Sequence, residues 1–243
     1  MTFNQLRISE PTPVEIQEVA IAFYAQTLDP KLAQLDFLKF SGILPKDWEL
    51  KSTPLLQDNL TQLVFTNGIT LTAQPRVVTL TETIASSTST LEVISLARRY
   101  SQTLPHLDYQ ALTIAPKILI VTGDSDATAS KLILDTLLTQ GPWRELGSGL
   151  IRASVNLVYQ LDSRQLQLAI DEVRVQQPDG TLNPALLFSG SFNSQISGAT
   201  AEMKQNEIRL ALDNVPTDLE TFKHLARKQF LGTSDPIFPP DML

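Results

Sequence analysis

The sequence predicts an α+β fold of two similar halves, each a mainly antiparallel sheet with a long helix packed on one face. Three observations predict it. Ser89-Thr90-Leu91-Glu92 and Thr217-Asp218-Leu219-Glu220 each open an apolar-periodic stretch, running into Leu96-Ala97-Arg98-Arg99 and Leu225-Ala226-Arg227-Lys228. Both have the Ser/Thr-x-x-Glu spacing of a capping box, in which hydroxyl and carboxylate satisfy free backbone donors at a helix start. Upstream of each lies a run of period-two segments. Upstream of those is a shorter helical stretch followed by proline and tryptophan, Pro45 to Trp48 in one case and Pro142-Trp143 in the other. Residues 1–107 and 108–231 form the two halves, and 232–243 a proline-containing tail.

The elements follow in order. Leu6 to Ser9 reads as a short strand, punctuated by Pro11 and Pro13. Ile16 to Ala25 is a second strand, with Val19, Ile21 and Phe23 on one face and Ala20, Ala22 and Tyr24 on the other. Two largely apolar faces place it centrally. Asp29-Pro30 supplies an N-cap with proline at the first helical position. Leu32, Leu35, Phe37, Leu38 and Phe40 have helical spacing until Gly42.

From Trp48 to Ile84 the period is two. Asn67-Gly68 predicts a hairpin with a type I′ turn, and Pro75 separates two further strands. Val93, Leu96, Ala97, Tyr100 and Leu104 form the core stripe of the first long helix.

In the second half, Tyr109 to Ile114 and Lys117 to Val121 are extended, with Pro116 predicting a kink or bulge between them. Gly123-Asp124-Ser125-Asp126 leads into a helix carrying Leu132, Ile133, Leu134, Leu137 and Leu138. Ile151 to Leu161 alternates cleanly. The apolar set then changes parity after Ile170, which predicts a bulge near Asp171-Glu172. Gln177-Pro178-Asp179-Gly180 turns the chain into Leu186 to Phe192. Ser189 to Thr200 reads as a polar loop, and Ile208, Leu210 and Leu212 as a last strand before the final helix.

Composition narrows the function classes. With 42% hydrophobic and 19% charged residues, the chain can bury a core. A formal charge of −7 argues against general nucleic-acid binding, which needs clustered Lys and Arg. The absence of cysteine excludes disulfides, thiolate zinc sites and thiol nucleophiles. No secretory signal and no apolar run long enough to span a bilayer are evident, so a cytoplasmic protein is expected.

Few residues suggest chemistry. His106 and His224 lack spaced partners, and surface or capping roles account for both. Gly147-Ser148-Gly149 and Ser189-Gly190-Ser191 are not Gly-x-Ser-x-Gly elbows, so no catalytic residue is assigned. Asp124 and Asp126 are candidate ligands for a hard cation, although N-capping of the next helix accounts for them without metal. No cofactor is expected. Arg98, Arg99, Arg227 and Lys228 hold matching places in the two halves and form a candidate pair of basic patches. Trp48 and Trp143 are expected to be packed anchors.

The segment Pro11-Thr12-Pro13-Val14-Glu15 leading into an alternating strand, with the later sheet and the stretch from Tyr100 to Ile114, resembles a scattered family of bacterial proteins of comparable length. The resemblance covers the order of elements along most of the chain and implies no activity. The leading functional expectation is a non-enzymatic protein-binding or assembly protein, with a protein partner or self-association, acting through sheet edges, the seam between halves, or the Ser189–Thr200 segment. The alternatives are a small metal-dependent hydrolase using Asp124 and Asp126, and an accessory nucleic-acid binder using the paired basic patches.

Overall fold

The computed structural model describes residues 15–84, 91–121, 132–148, 150, 152–161, 164–176 and 180–231. The predicted strand Leu6–Ser9, the Ser89-Thr90 pair, the Asp124–Asp126 loop and the tail lie outside them. The fold is α+β, built on one large antiparallel sheet.

Among the described residues nine strands form that sheet: β1 (Glu18–Ala25), β2 (Leu55–Gln57), β3 (Leu60–Val64), β4 (Ile69–Gln74), β5 (Val77–Thr83), β6 (Tyr109–Val121), β7 (Val155–Gln160), β8 (Gln165–Gln176) and β9 (Leu182–Gln195). Their spatial order is β2-β3-β4-β5-β1-β6-β9-β8-β7, every pair antiparallel. Outward from the central β1–β6 pair, one side runs β1, β5, β4, β3, β2 and the other β6, β9, β8, β7.

Period-two sequences bury one face of this sheet. Val19, Ile21 and Phe23 of β1, Leu112 and Ile114 of β6, and Phe188 and Phe192 of β9 are completely buried. Helix α1 (Leu35–Phe40) follows β1, and the buried face of the sheet carries α2 (Glu92–Thr103), α3 (Ala201–Asp213) and α4 (Val215–His224). Tyr100 of α2 stacks on Phe23 at 5.8 Å between ring centroids, and Tyr109 lies against the same ring at 5.6 Å. The opposite face carries small and polar side chains. One cross-strand row reads Gln62, Thr72, Thr79, Ala22, Thr113, Asn193, Gln165, Gln160. Hydrogen bonds join Gln62 to Thr72, Thr113 to Asn193, and Gln165 to Gln160 along it.

Several local expectations are corrected. The first long helix begins at Glu92, and its N-cap residue Leu91 makes no side-chain cap bond; the Ser89 half of the predicted box lies outside the described residues. The Val93 N–H instead donates to the buried Glu82 carboxylate of β5 at 2.9 Å, and Glu92 accepts from the Asn67 side chain. Burial pushes the Glu82 carboxyl up, and the nearby Glu92 charge adds to this, against the lowering pull of the backbone donors. The second proposed capping box sits inside a helix. α4 starts at Val215, and Glu220 pairs with Lys223 rather than with backbone.

The predicted last strand is helix α3. Its buried residues, Ile208, Ala211 and Leu212, follow helical spacing that continues to Val215. Pro216 has no N–H to continue the ladder, so α3 and α4 meet at Asn214 as two helices. The predicted Ser189–Thr200 loop is largely the second half of β9, with only residues 196–200 outside the sheet.

No bulge occurs at Asp171-Glu172, because β8 keeps one register on β9 from Gln165↔Asn193 to Gln176↔Leu182. The parity change arises because Val173 and Val175 are only half-buried, so neither face is fully covered there. The Asn67-Gly68 hairpin is present, but only Gly68 has positive φ, at 86°. Type I′ needs two such residues; here Phe65 and Ile69 close a three-residue loop instead. Trp48 packs edge-on against Phe65 at 5.3 Å, whereas Trp143 is half exposed and not an anchor.

Pro116 neither kinks nor bulges β6. It interrupts the ladder to β9 between Ile114↔Phe192 and Lys117↔Ser189, and the register resumes unshifted. Gly190 lies opposite it, and Phe222 of α4 fills the space: a Cβ on Gly190 would sit 2.7 Å from the Phe222 ring and 3.1 Å from Pro116 Cγ. Gly190→Ala is therefore expected to lower stability by about 1–3 kcal/mol through overpacking. Urea unfolding followed by circular dichroism checks this, and a neutral result would contradict the close approach.

Candidate functional site

The four predicted basic residues engage different parts of the fold. Arg98 Nη2 lies 2.6 Å from Asp213 Oδ1, joining α2 to α3. Arg99 Nε donates to the Ile43 carbonyl at 2.9 Å. Arg227, in the π-helical continuation Leu225–Phe230 of α4, pairs with Glu15 at 2.8 Å, and Lys228 is exposed beside it. Asp124 and Asp126 lie outside the described residues. Among the described residues no group of three or more His, Asp or Glu side chains is placed to hold a metal ion. His106 and His224 are exposed.

Two concave regions carry more. The first is a groove of about 490 Å³ between α2 and α3. α2 packs on β1 and β5 and α3 packs on β6, so the groove lies above the central strand pair. Arg98, Gln102, Gln205, Asn206 and Arg209 provide polar walls, and Leu212 and Met203 apolar ones. Asp213 holds two guanidinium groups, Arg98 at 2.6 Å and Arg209 at 2.9 Å. Arg209 also donates to Asn206 Oδ1 at 2.9 Å.

The second region follows the sheet edge. β7 pairs with β8 on one side only, from Val155↔Ile170 to Gln160↔Gln165, and is the last strand among the described residues. Its sequence, Val155-Asn156-Leu157-Val158-Tyr159-Gln160, contains no charge, proline or glycine. Val158 is 64% exposed on the open face. On the helix-bearing face Tyr159, Leu161 and Leu166 meet Thr221, His224 and Leu225 across a groove of about 500 Å³. At the opposite edge β2 is three residues long and follows Pro54 directly.

A buried ion pair fastens the β7–β8 hairpin to α4. Arg164 Nη2 lies 2.6 Å from Asp218 Oδ1, and Asp218 is 2% exposed. Asn214 donates a second hydrogen bond to that oxygen at 3.3 Å, while Oδ2 has no partner among the described residues. Burial pushes the Asp218 carboxyl from its ordinary 3.8 up to about 6, with the Arg164 charge pulling it back down.

Sequence reasoning found Arg98 but not the groove it lines, because α3 read as a strand. It read the clean alternation of β7 without placing that strand at an edge. No protein-family model matches the chain, and no curated protein is significantly similar to it.

The Asp218 shift has a definite sign. As pH rises from about 4 to 6, the unfolded chain loses this proton while the folded chain keeps it, so stability falls through that window. Asp218→Asn removes the contribution. Urea midpoints measured from pH 4 to 7 should show the stability of wild type relative to the variant declining with pH and then levelling. A difference that stays constant or rises would contradict the assignment.

Proposed function

We propose that this chain is a non-enzymatic protein-binding or assembly protein that accepts an extended partner segment as an added strand on β7. The observation that carries the reading is the character of that edge. Six consecutive residues carry no charge, proline or glycine, and among the described residues no strand pairs with the outer side of β7. Natural sheets blunt such edges with charge, proline, bulges or short strands, because an unprotected edge recruits another chain. β2 shows that blunting, and β7 does not.

Strand addition also places alternate partner side chains over the groove between Tyr159 and Leu225. Backbone hydrogen bonds then supply affinity, and the half-apolar groove selects side chains. Asn156 and Gln160 on the open face offer polar contacts without imposing a charge on the partner.

The architecture belongs to the same proposal. Residues 1–107 and 108–231 are read as two similar halves, an ancestral strand–helix–strands–helix unit present twice. The matching strand order outward from β1 and from β6 supports this. In this reading the halves have diverged at their outer edges, one closed by β2 and the other left open for a partner.

Display of random twelve-residue peptides against the full chain tests the proposal. Selected peptides should show alternating apolar positions, and N-methylation of alternate backbone amides should abolish their binding. Leu157→Lys should weaken binding at least tenfold, since the added strand would bury the new charge; its long stem still lets the free protein fold. Leu56→Lys, on β2, should have no effect. Failure to select any peptide, or selection of peptides indifferent to N-methylation, would overturn the reading.

A further inference from the structure

We infer that the strand added to β7 is β7 of a second copy of this chain, paired antiparallel about a twofold axis. The inference rests on the strand-addition reading and names its partner. Backbone direction comes first. The Leu161 N–H donates to the Arg164 carbonyl at 2.9 Å, in the register that joins Val155 to Ile170 and Gln160 to Gln165. Bonded and non-bonded pairs alternate along an antiparallel ladder, so Tyr159, Leu157 and Val155 also turn their backbone groups toward β8. Asn156, Val158 and Gln160 turn theirs away from it.

Those three residues are self-complementary in one register. With the axis through Val158, that residue faces Val158 of the second copy, and Asn156 faces Gln160 in both directions. Three outward pairs then form about six backbone hydrogen bonds. Val158, 64% exposed, becomes covered by its own counterpart, and amide faces amide on either side. On the helix-bearing face Leu157 meets Tyr159, an aliphatic–aromatic pair. Val155 of the second copy lies over Leu161, at the mouth of the groove lined by Leu166, Thr221 and Leu225. Moving the axis to Leu157 or Tyr159 leaves two outward pairs within β7 and sets Val158 against an amide. No charge lies on β7, so twofold pairing opposes no like charges along it.

Edge asymmetry fits a second copy in particular. Each chain has one such edge, and the other ends in β2, three residues long after Pro54. An isologous β7–β7 contact consumes both open edges and leaves β2 at each outer end, so the assembly closes at two copies instead of growing into a fibre. The interface is small, and the expected dissociation constant lies between about 1 and 100 µM.

Sedimentation equilibrium of the full chain from about 1 µM to 1 mM should show reversible monomer and dimer with no larger species. Val158→Lys, at an exposed position, sets two ammonium groups on the axis and should weaken dimerisation at least tenfold with an unchanged thermal midpoint. The chain has no cysteine, so single-cysteine variants report register. Val158→Cys should cross-link to itself on mild oxidation, because bonded pairs place their Cα atoms about 5.5 Å apart. Asn156→Cys and Gln160→Cys should cross-link when mixed but not alone, since identical positions then lie roughly 13 Å apart. A chain monomeric at 1 mM, a dimer indifferent to Val158→Lys, or cross-links that ignore this pairing would each overturn the inference. Peptide capture at nanomolar protein, where the edge is free of a second copy, separates the two readings. If displayed peptides bind there in an N-methylation-sensitive way while the chain stays monomeric, the second copy is refuted and strand addition stands.

Discussion

The antiparallel pairing of β1 with β6 is the constraint on which the remaining structure depends. Register runs from Glu18↔Lys117 to Tyr24↔Ala111, shifting only at Ala25, and a 2.8 Å ion pair between Glu18 and Lys117 marks its outer end. With side chains alternating at period two, this single register decides that Val19, Ile21 and Phe23 share a face with Leu112 and Ile114. A slip of β6 by one residue would turn Leu112 and Ile114 to the open face and bury Thr113 and Lys117 in their place. The helices have one apolar surface on which to pack, and α2, α3 and α4 all use it. Their meeting above the pair creates the groove lined by Arg98 and Arg209.

The same one-sided burial explains the two contrasting surfaces. On the helix-bearing face the close contacts are specific: Phe222 sits where Pro116 and Gly190 leave room, and Tyr100 stacks on Phe23. Across the open face run threonine, serine, asparagine, glutamine and alanine, whose hydrogen bonds link neighbouring strands without forming a second core. A sheet covered on one side has edges that only sequence can protect. Differences in edge protection between β2 and β7 thus follow from local residue choice, and the functional proposal rests on that difference.

Much of the fold was legible in the sequence because most strands bury one face only. Alternation located β3, β4, β5, β7 and β8, and the apolar character of Glu18–Ala25 placed β1 centrally. The helical stripe from Val93 to Leu104 is buried throughout, as its spacing predicts. What misled was short-range ambiguity. Ile208, Leu210 and Leu212 alternate, yet Leu210 is 53% exposed while Ala211 is buried, and only a small residue at that position records the helical contact. Ser189, Ser191 and Asn193 looked like loop because their strand turns small polar groups outward. The caps were hidden for a different reason: the acceptor for Val93 comes from Glu82 on another element. Likewise Arg98 was legible as a cation, but its partner Asp213 lies far along the chain on a helix the alternation disguised.

Native-state hydrogen exchange across increasing denaturant tests the central claim most directly. If β1–β6 pairing organises the whole sheet, the bonded amides of Val19–Phe23 and Leu112–Ile114 exchange only through global unfolding, with the same free energy and the same denaturant dependence in both strands. Two separate unfolding steps that open β1 and β6 with different free energies, or exchange at the centre faster than in β4 and β8, would contradict it.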